Sequence, residues 1–252
     1  MKMLFHEFIF RPLFNILVFL YNTVAFKDLG VAIILLTIVI RFILFPLFYK
    51  SFKNQSIIQR LQPKIKKIQH DHKENKEEQA KKIMQLYKEH KINPFSGILL
   101  LLVQLPVLIA LYRVFLADIG AIATENLYAF IKAPGIINNT FLHLINLTER
   151  DMIIVALAVV AQYIQGKMAL GRQVGNSEGA AGKMGRQMVF LGPILTLVIL
   201  PQLPAAVGLY WLTSAIFSIA QQEVINKSID KQEEHGTLSG TNQKTRESSG
   251  AQ

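Results

Sequence analysis

The chain has 252 residues, a net charge of +10, 51% apolar residues and no cysteine. The missing cysteine excludes disulfides, thiolate metal sites, cysteine nucleophiles and an acylated lipoprotein cysteine. The apolar residues are gathered into long blocks instead of recurring at helical spacing, which excludes an ordinary water-soluble core and makes lipid the expected solvent.

The first segment, Leu4 to Phe26, is apolar but interrupted by His6, Glu7, Arg11, Pro12, Asn15 and Asn22. It has neither a signal-peptide cleavage site nor the composition of a transit peptide. The clean stretch after Pro12 is short, so an amphipathic helix lying in the membrane interface is expected, with a sixth span as the alternative. Five spans follow, near Gly30–Phe48, Gly97–Ala117, Met152–Leu170, Gln187–Pro201 and Pro204–Gln222. The fourth is short and contains Pro193, and Pro201 with Pro204 closes the last two into a tight hairpin.

Between spans one and two, residues 50–92 hold no glycine and only Pro63, which suits helix. Ile57, Leu61, Ile65 and Ile68 form one apolar stripe, and Ala80, Ile83, Met84 and Tyr87 a second. The run His70 to Asn75 is the expected turn of an antiparallel pair. The loop Tyr49–Ser96 carries twelve Lys and Arg, from Lys50 to Lys91. The next loop has only Lys132 and Arg150 against four acidic residues, and the one after has Lys167, Arg172, Lys183 and Arg186 against Glu178. Positive charge marks the cytoplasmic side, so the N-terminus is expected outside and the C-terminus in the cytoplasm of a bacterial plasma membrane.

The predicted organisation is an all-α integral membrane protein. It comprises an interfacial helix (1–28), TM1 (29–48), a basic cytoplasmic hairpin (49–96), TM2 (97–117) and an external loop (118–151). TM3 (152–170), a cytoplasmic loop (171–186), TM4 (187–201), TM5 (204–222) and a disordered cytoplasmic tail (223–252) complete it. The tail is polar and its charges nearly balance, which makes it a poor electrostatic tether. The hairpin is either a solvated linker or a docking arm for anionic lipid, ribosomal RNA or a nascent chain.

The chemistry-bearing residue is Arg41, inside span one with no Asp or Glu in any span to neutralise it. Counting from Phe48, helical rise puts it roughly 10 Å from the cytoplasmic end. Thr37 lies one turn away on the same face. Gln104 in span two, Gln162 and Gln165 in span three, and the stripe Trp211, Ser214, Ser218 and Gln222 in span five lie at comparable depth. Each alone reads as a packing hydrogen bond between helices. Together around an uncompensated arginine they point to a wet concavity open to the cytoplasm, where a lone cation attracts acidic or polar peptide far more strongly than in water. Arg113, near the outer end of span two, has no assignable role from the sequence.

Several motifs in order resemble the core of the YidC membrane-protein insertases, kin of the mitochondrial oxidase-assembly and chloroplast albino insertases. They are Gly30–Leu47, Leu61-Gln62-Pro63-Lys64-Ile65, Leu86-Tyr87-Lys88 with Ile92-Asn93-Pro94, Gln104-Leu105-Pro106-Val107 with Ala110-Leu111-Tyr112, and Gly208-Leu209-Tyr210-Trp211 with Gln221-Gln222. The resemblance covers Phe8 to Ile229. It implies five core helices around a hydrophilic groove open to cytoplasm and lipid, with Arg41 as the groove arginine and Thr37 and Trp211 as substrate-contacting positions. Gln104 and Gln165 match polar positions of the family, and the basic hairpin matches its mobile cytoplasmic hairpin. The chain lacks the large periplasmic domain of many Gram-negative relatives and the lipidated cysteine of many Gram-positive ones.

The implied function is insertion of nascent membrane proteins, with those proteins and membrane lipid as partners. The ribosome, through the Lys50–Lys91 hairpin, and the general secretion channel are further candidate partners; DNA is not. The alternative is an anion or solute channel or transporter. Against proton- or cation-coupled transport, the six histidines (His6, His70, His72, His90, His143, His235) all fall outside the spans, and no carboxylate lies within one. No catalytic residues, phosphate-binding glycine loop or metal cluster point to an enzyme, and no cofactor is expected.

Overall fold

The computed structural model describes residues 2–93, 96–116, 125–170 and 180–249 and is mostly helical. Pro94, Ala117, Arg172 and Glu178 lie outside the described residues.

The chain begins with α1 (Lys2–Phe5), a π-helical segment (His6–Phe10) and α2 (Arg11–Thr23), which follow one another without a break. Pro12 sits in the first turn of α2, directly after the wider π turn, where its missing N–H does no harm. The helix therefore runs through the proline that the sequence reading took as an interruption. Met3–Thr23 is long and apolar enough to cross a bilayer by length and composition, which meets the length requirement of the sixth-span alternative without deciding between it and an interfacial helix. Phe14, Leu17, Val18 and Tyr21 form its buried stripe. Arg113 stacks its guanidinium over the Phe5 ring, 5.2 Å to the centroid, which is the role the sequence did not reveal.

Asn15 belongs to the same buried stripe. Its Nδ2 donates to the carbonyls of Arg11 (2.7 Å) and Asn126 (2.8 Å), and its Oδ1 accepts from the Tyr128 N–H (2.7 Å). The interruption read from the sequence is thus a peg holding the first helix to the chain after residue 125. Asn15→Leu is expected to cost about 1–3 kcal/mol of stability, because it strands backbone groups in a buried position. Thermal unfolding in detergent checks this.

The next helix, α3 (Leu29–Ile43), starts where Asp28 accepts from the Val31 N–H (3.0 Å), a standard N-cap. The other Asp28 oxygen accepts from the Leu142 N–H (2.7 Å). Residues 125–150 carry a two-strand antiparallel ladder, β1 (Thr140–Phe141) and β2 (Ile145–Asn146), with Phe141 opposite Ile145. Phe141 lies directly on Gly30.

Two later helices join the same loop. Asp151 caps α7 (Met152–Leu170) through the Ile154 N–H (2.8 Å). The Leu147 and Glu149 carbonyls accept from Ala206 and Ala205 at the start of α9 (Ala205–Ser249). The N-termini of α3, α7 and α9 therefore meet on one loop.

At Leu44 the chain bends by 70° and α4 (Phe45–Asp71) begins, with Pro46 in its first turn. Residues 45–48, read as the end of span one, instead start the next helix. Proline cannot supply the N–H that would continue α3, and it suits a helix start. The turn 72–75 leads to α5 (Lys76–Glu89), capped by Asn75. Leu61 and Ile65 of α4 pack with Leu86 of α5 and Ile92. Partial burial pushes the Tyr87 phenol above its usual pKa.

Helix α6 (Ser96–Leu116) tolerates Pro106 internally, and α8 (Ala180–Ile199) tolerates Pro193. Helix α8 starts earlier than the expected TM4, and a 3-10 turn (Leu200–Gln202) follows it. Leu102–Phe115, Met152–Met168 and Gly192–Gln202 are shorter apolar helical stretches. Helices α7 and α8 approach closely where Gly166 meets the Val189 backbone; a Cβ there would be 2.9 Å from its carbonyl oxygen.

Helix α9 continues past Gln222, the expected end of TM5, and its backbone stays helical to Ser249 where a disordered tail was expected. Phe48 and Phe52 of α4 pack with Ile225 and Ile229 of α9. Ser56 donates to Asn226 Oδ1 (2.6 Å), and Arg60 pairs with Asp230. Tertiary contact with α4 thus organises residues that look like tail. The Arg60–Asp230 pair is partly exposed, and a double-mutant cycle is expected to return a coupling of only about 0.2–1 kcal/mol.

Candidate functional site

Arg41 lies in the last turn of α3, two residues before Ile43, because the helix ends at the 70° break and not at Phe48. The depth estimated from Phe48 is therefore replaced: Arg41 sits beside the bend. It is 6% exposed. Its guanidinium stacks on the Phe48 ring, 4.3 Å to the centroid, and Nη1 has no hydrogen-bond partner. The bend makes this possible, since it turns the first residues of α4 back beneath the end of α3.

The charge is thus held by a ring face, with no carboxylate paired to it among the described residues. Cation–π attraction offsets part of the desolvation cost and leaves donors free. A cation in that state attracts an anionic or strongly dipolar group brought to it.

Tyr210 on α9 is within electrostatic reach of Arg41, and its hydroxyl accepts a hydrogen bond from Gln104 Nε2 on α6. Residues from three helices therefore converge: Arg41 from α3, Gln104 from α6 and Tyr210 from α9. Thr37 is buried one turn before Arg41, and its hydroxyl donates to the Ile33 carbonyl (2.7 Å), which leaves the oxygen's acceptor side free. Ser214 is buried one turn after Tyr210. Trp211 is half-buried, with its indole N–H buried and unpartnered.

Gln162 faces elsewhere. Its Oε1 lies beside Gly192, where a Cβ would come within 3.4 Å, so it belongs to the α7–α8 contact. Gln165 is half-buried on α7, next to Gly166, which meets α8.

Tyr210 and Phe48 were not among the candidate site residues. Tyr210 carried a usable signal, since it stands four residues before Ser214 and so heads the same helical stripe. Phe48 carried none, because its contact with Arg41 exists only through the bend. The polar stripe continues down α9 through Ser218, Gln221 and Gln222, all buried. Gly208 lets α9 approach α7; a Cβ there would be 2.8 Å from Ile154 Cγ2.

Residues 19–233 match the family described as 60Kd inner membrane protein. The membrane protein insertase YidC of Francisella tularensis subsp. novicida (strain U112) is 31% identical over 198 residues, covering 79% of this chain. The YidC of Francisella tularensis subsp. tularensis (strain SCHU S4 / Schu 4) matches to the same extent. The chain spans about a third (32%) of the length of these relatives. Among solved structures, an active YidC insertase crystal structure with its first transmembrane domain resolved aligns with a TM-score of 0.58 at 23% identity. The alignment covers 85% of this chain and 45% of that one, a likeness of fold. The family match takes in α3 to α8 and the first part of α9, with Arg41, Gln104 and Tyr210, and this chain belongs to the 60Kd inner membrane protein family.

Proposed function

We propose that this protein is a membrane protein insertase. It receives the hydrophilic segment of a nascent membrane protein at Arg41 and releases the apolar segment sideways into lipid. The observation that carries the reading is a buried guanidinium with a free donor and no ion-pair partner among the described residues. A resident carboxylate would neutralise such a site; an empty one is suited to a passing guest. Family membership and the YidC relatives support the same reading.

In this reading five helices, α3, α6, α7, α8 and the first half of α9, cross a bacterial inner membrane around a groove open to the cytoplasm. The N-terminus is outside and the C-terminus inside, following the lysine and arginine of the loops. Thr37, Gln104, Trp211 and Ser214 line the groove with Arg41, while Gln162 belongs to the α7–α8 contact that supports it. The helices α4 and α5 form a basic cytoplasmic arm, the natural contact for a ribosome, and the secretion channel is a second candidate partner. The work is transfer without covalent chemistry: a polar cavity shortens the apolar distance that a hydrophilic segment must cross.

The test is photocrosslinking from Thr37 or Trp211 during synthesis of single-span clients. Adducts to nascent chains are expected, and none from either position would overturn the reading. No observation favours the channel alternative. Ion or solute flux through proteoliposomes lacking any nascent chain would revive it.

A further inference from the structure

Gln221 and Gln222 are neighbours on the buried stripe of α9, 5% and 0% exposed. The amide nitrogen and oxygen of both side chains have no hydrogen-bond partner among the described residues. The hydroxyl one turn earlier gives its proton elsewhere, since Ser218 donates to the Ser214 carbonyl (2.9 Å), and so offers the amide oxygens no donor. Buried side-chain amides without partners are rare because both the N–H and the C=O lose water and gain nothing in return. Two adjacent ones on a buried helix face leave donors and acceptors that a polar guest can satisfy.

The chemistry of that ligand follows from what is unsatisfied. Arg41 Nη1 and the Trp211 indole can only donate, so they read acceptors such as carboxylates. The glutamine pair offers donors and acceptors together, the complement of a peptide group. An extended polypeptide has an unpaired N–H and C=O at every residue and must satisfy them wherever lipid excludes water. The turn after the pair is covered by α4, where Phe48 and Phe52 sit on Ile225 and Ile229 and Ser56 bonds to Asn226. The break at Leu44 gives α4 a point about which to pivot away.

We propose that Gln221 and Gln222 form a binding site for the extended backbone of a translocating polypeptide, uncovered when α4 swings aside. The site rests on the insertase reading and adds to it a recognition that is independent of side-chain sequence. Arg41 selects by charge; the glutamine pair holds any chain by its amides.

The test uses the full chain in proteoliposomes and single-span clients with Ser/Gly-rich, Asp-containing or proline-rich heads. Gln221→Leu with Gln222→Leu removes buried unsatisfied groups at similar volume, so the thermal unfolding midpoint is expected to hold or rise. Insertion of the Ser/Gly and Asp clients is expected to fall about three- to tenfold alike, the loss of a hydrogen bond to a peptide group. The proline-rich head, poor in N–H groups, is expected to lose less. Unchanged insertion by the double variant would overturn the proposal and would mean that the amides hold only internal water. A photocrosslinker at position 222 provides a readout that does not depend on the variant's activity: adducts to the client are expected, and adducts to lipid alone, or none, would also overturn it. Wild-type protein that inserts no client at all would instead refute the insertase reading itself.

Discussion

Reversing the charge at position 41 is expected to be the most damaging single change to activity. In Arg41→Glu the carboxylate would lie against the negative face of the Phe48 ring, with no cation beside it among the described residues. Under the proposed function, acidic client heads would meet repulsion in place of attraction. Two unit charges about 4 Å apart at an effective dielectric constant near 20 interact by about 4 kcal/mol, so even a heavily screened remnant costs at least about tenfold in insertion. The loss should be graded: largest for acidic heads, smaller for neutral ones, and absent or reversed for basic ones. Arg41→Lys keeps the charge but loses the planar stacking, and should retain an intermediate activity with the same order of preference. Insertion yields for the three head types in proteoliposomes decide it. An equal loss for all three would mean that Arg41 serves the fold and not the guest.

The largest expected effect on stability lies at the opposite end of α3. A Cβ at Gly30 would come 2.2 Å from Phe141 Cδ2 and 2.5 Å from Phe141 Cβ. Rotating the phenyl ring moves the first atom but not the second, whose place is set by the β1 backbone. Relief therefore requires the strand to shift, and Asp28 resists this through its bond to the Leu142 N–H. Gly30→Ala is expected to cost about 3 kcal/mol, at the upper end of overpacking penalties. Gly135→Ala is the control. Gly135 has open space around it but a φ of +69°, so about 1 kcal/mol of backbone strain is the whole expected cost. Thermal unfolding of both variants in one detergent compares a steric cost with a conformational one. A Gly30→Ala midpoint matching wild type would show that the loop does not clamp α3 as described.

How much of this was legible beforehand varies by residue. Arg41 stood out because charge inside an apolar block is costly whatever the fold, and such costs are visible in composition alone. The stripe from Ser214 to Gln222 was visible because helical spacing is local. Pro46 and Pro12 misled in opposite directions. The first ends a helix that hydropathy would continue, since apolar residues run past it to Phe48. The second fails to end one, since a π turn absorbs it. Hydropathy counts side chains and is blind to both.

The amino-acid sequence by itself determined that this is a helical chain made for lipid, with a basic segment on one side and an arginine in an apolar block that holds no Asp or Glu. Those properties follow from the cost of charge and of unpaired backbone in hydrocarbon, which depends on residue type and order. Only the tertiary structure decided what Arg41 rests on, that Tyr210 and Gln104 join it while Gln162 turns to α8, and that residues 225–230 brace α4. Each of these depends on a bend angle or on which helix faces which, and such relations are set by packing between segments far apart in the chain.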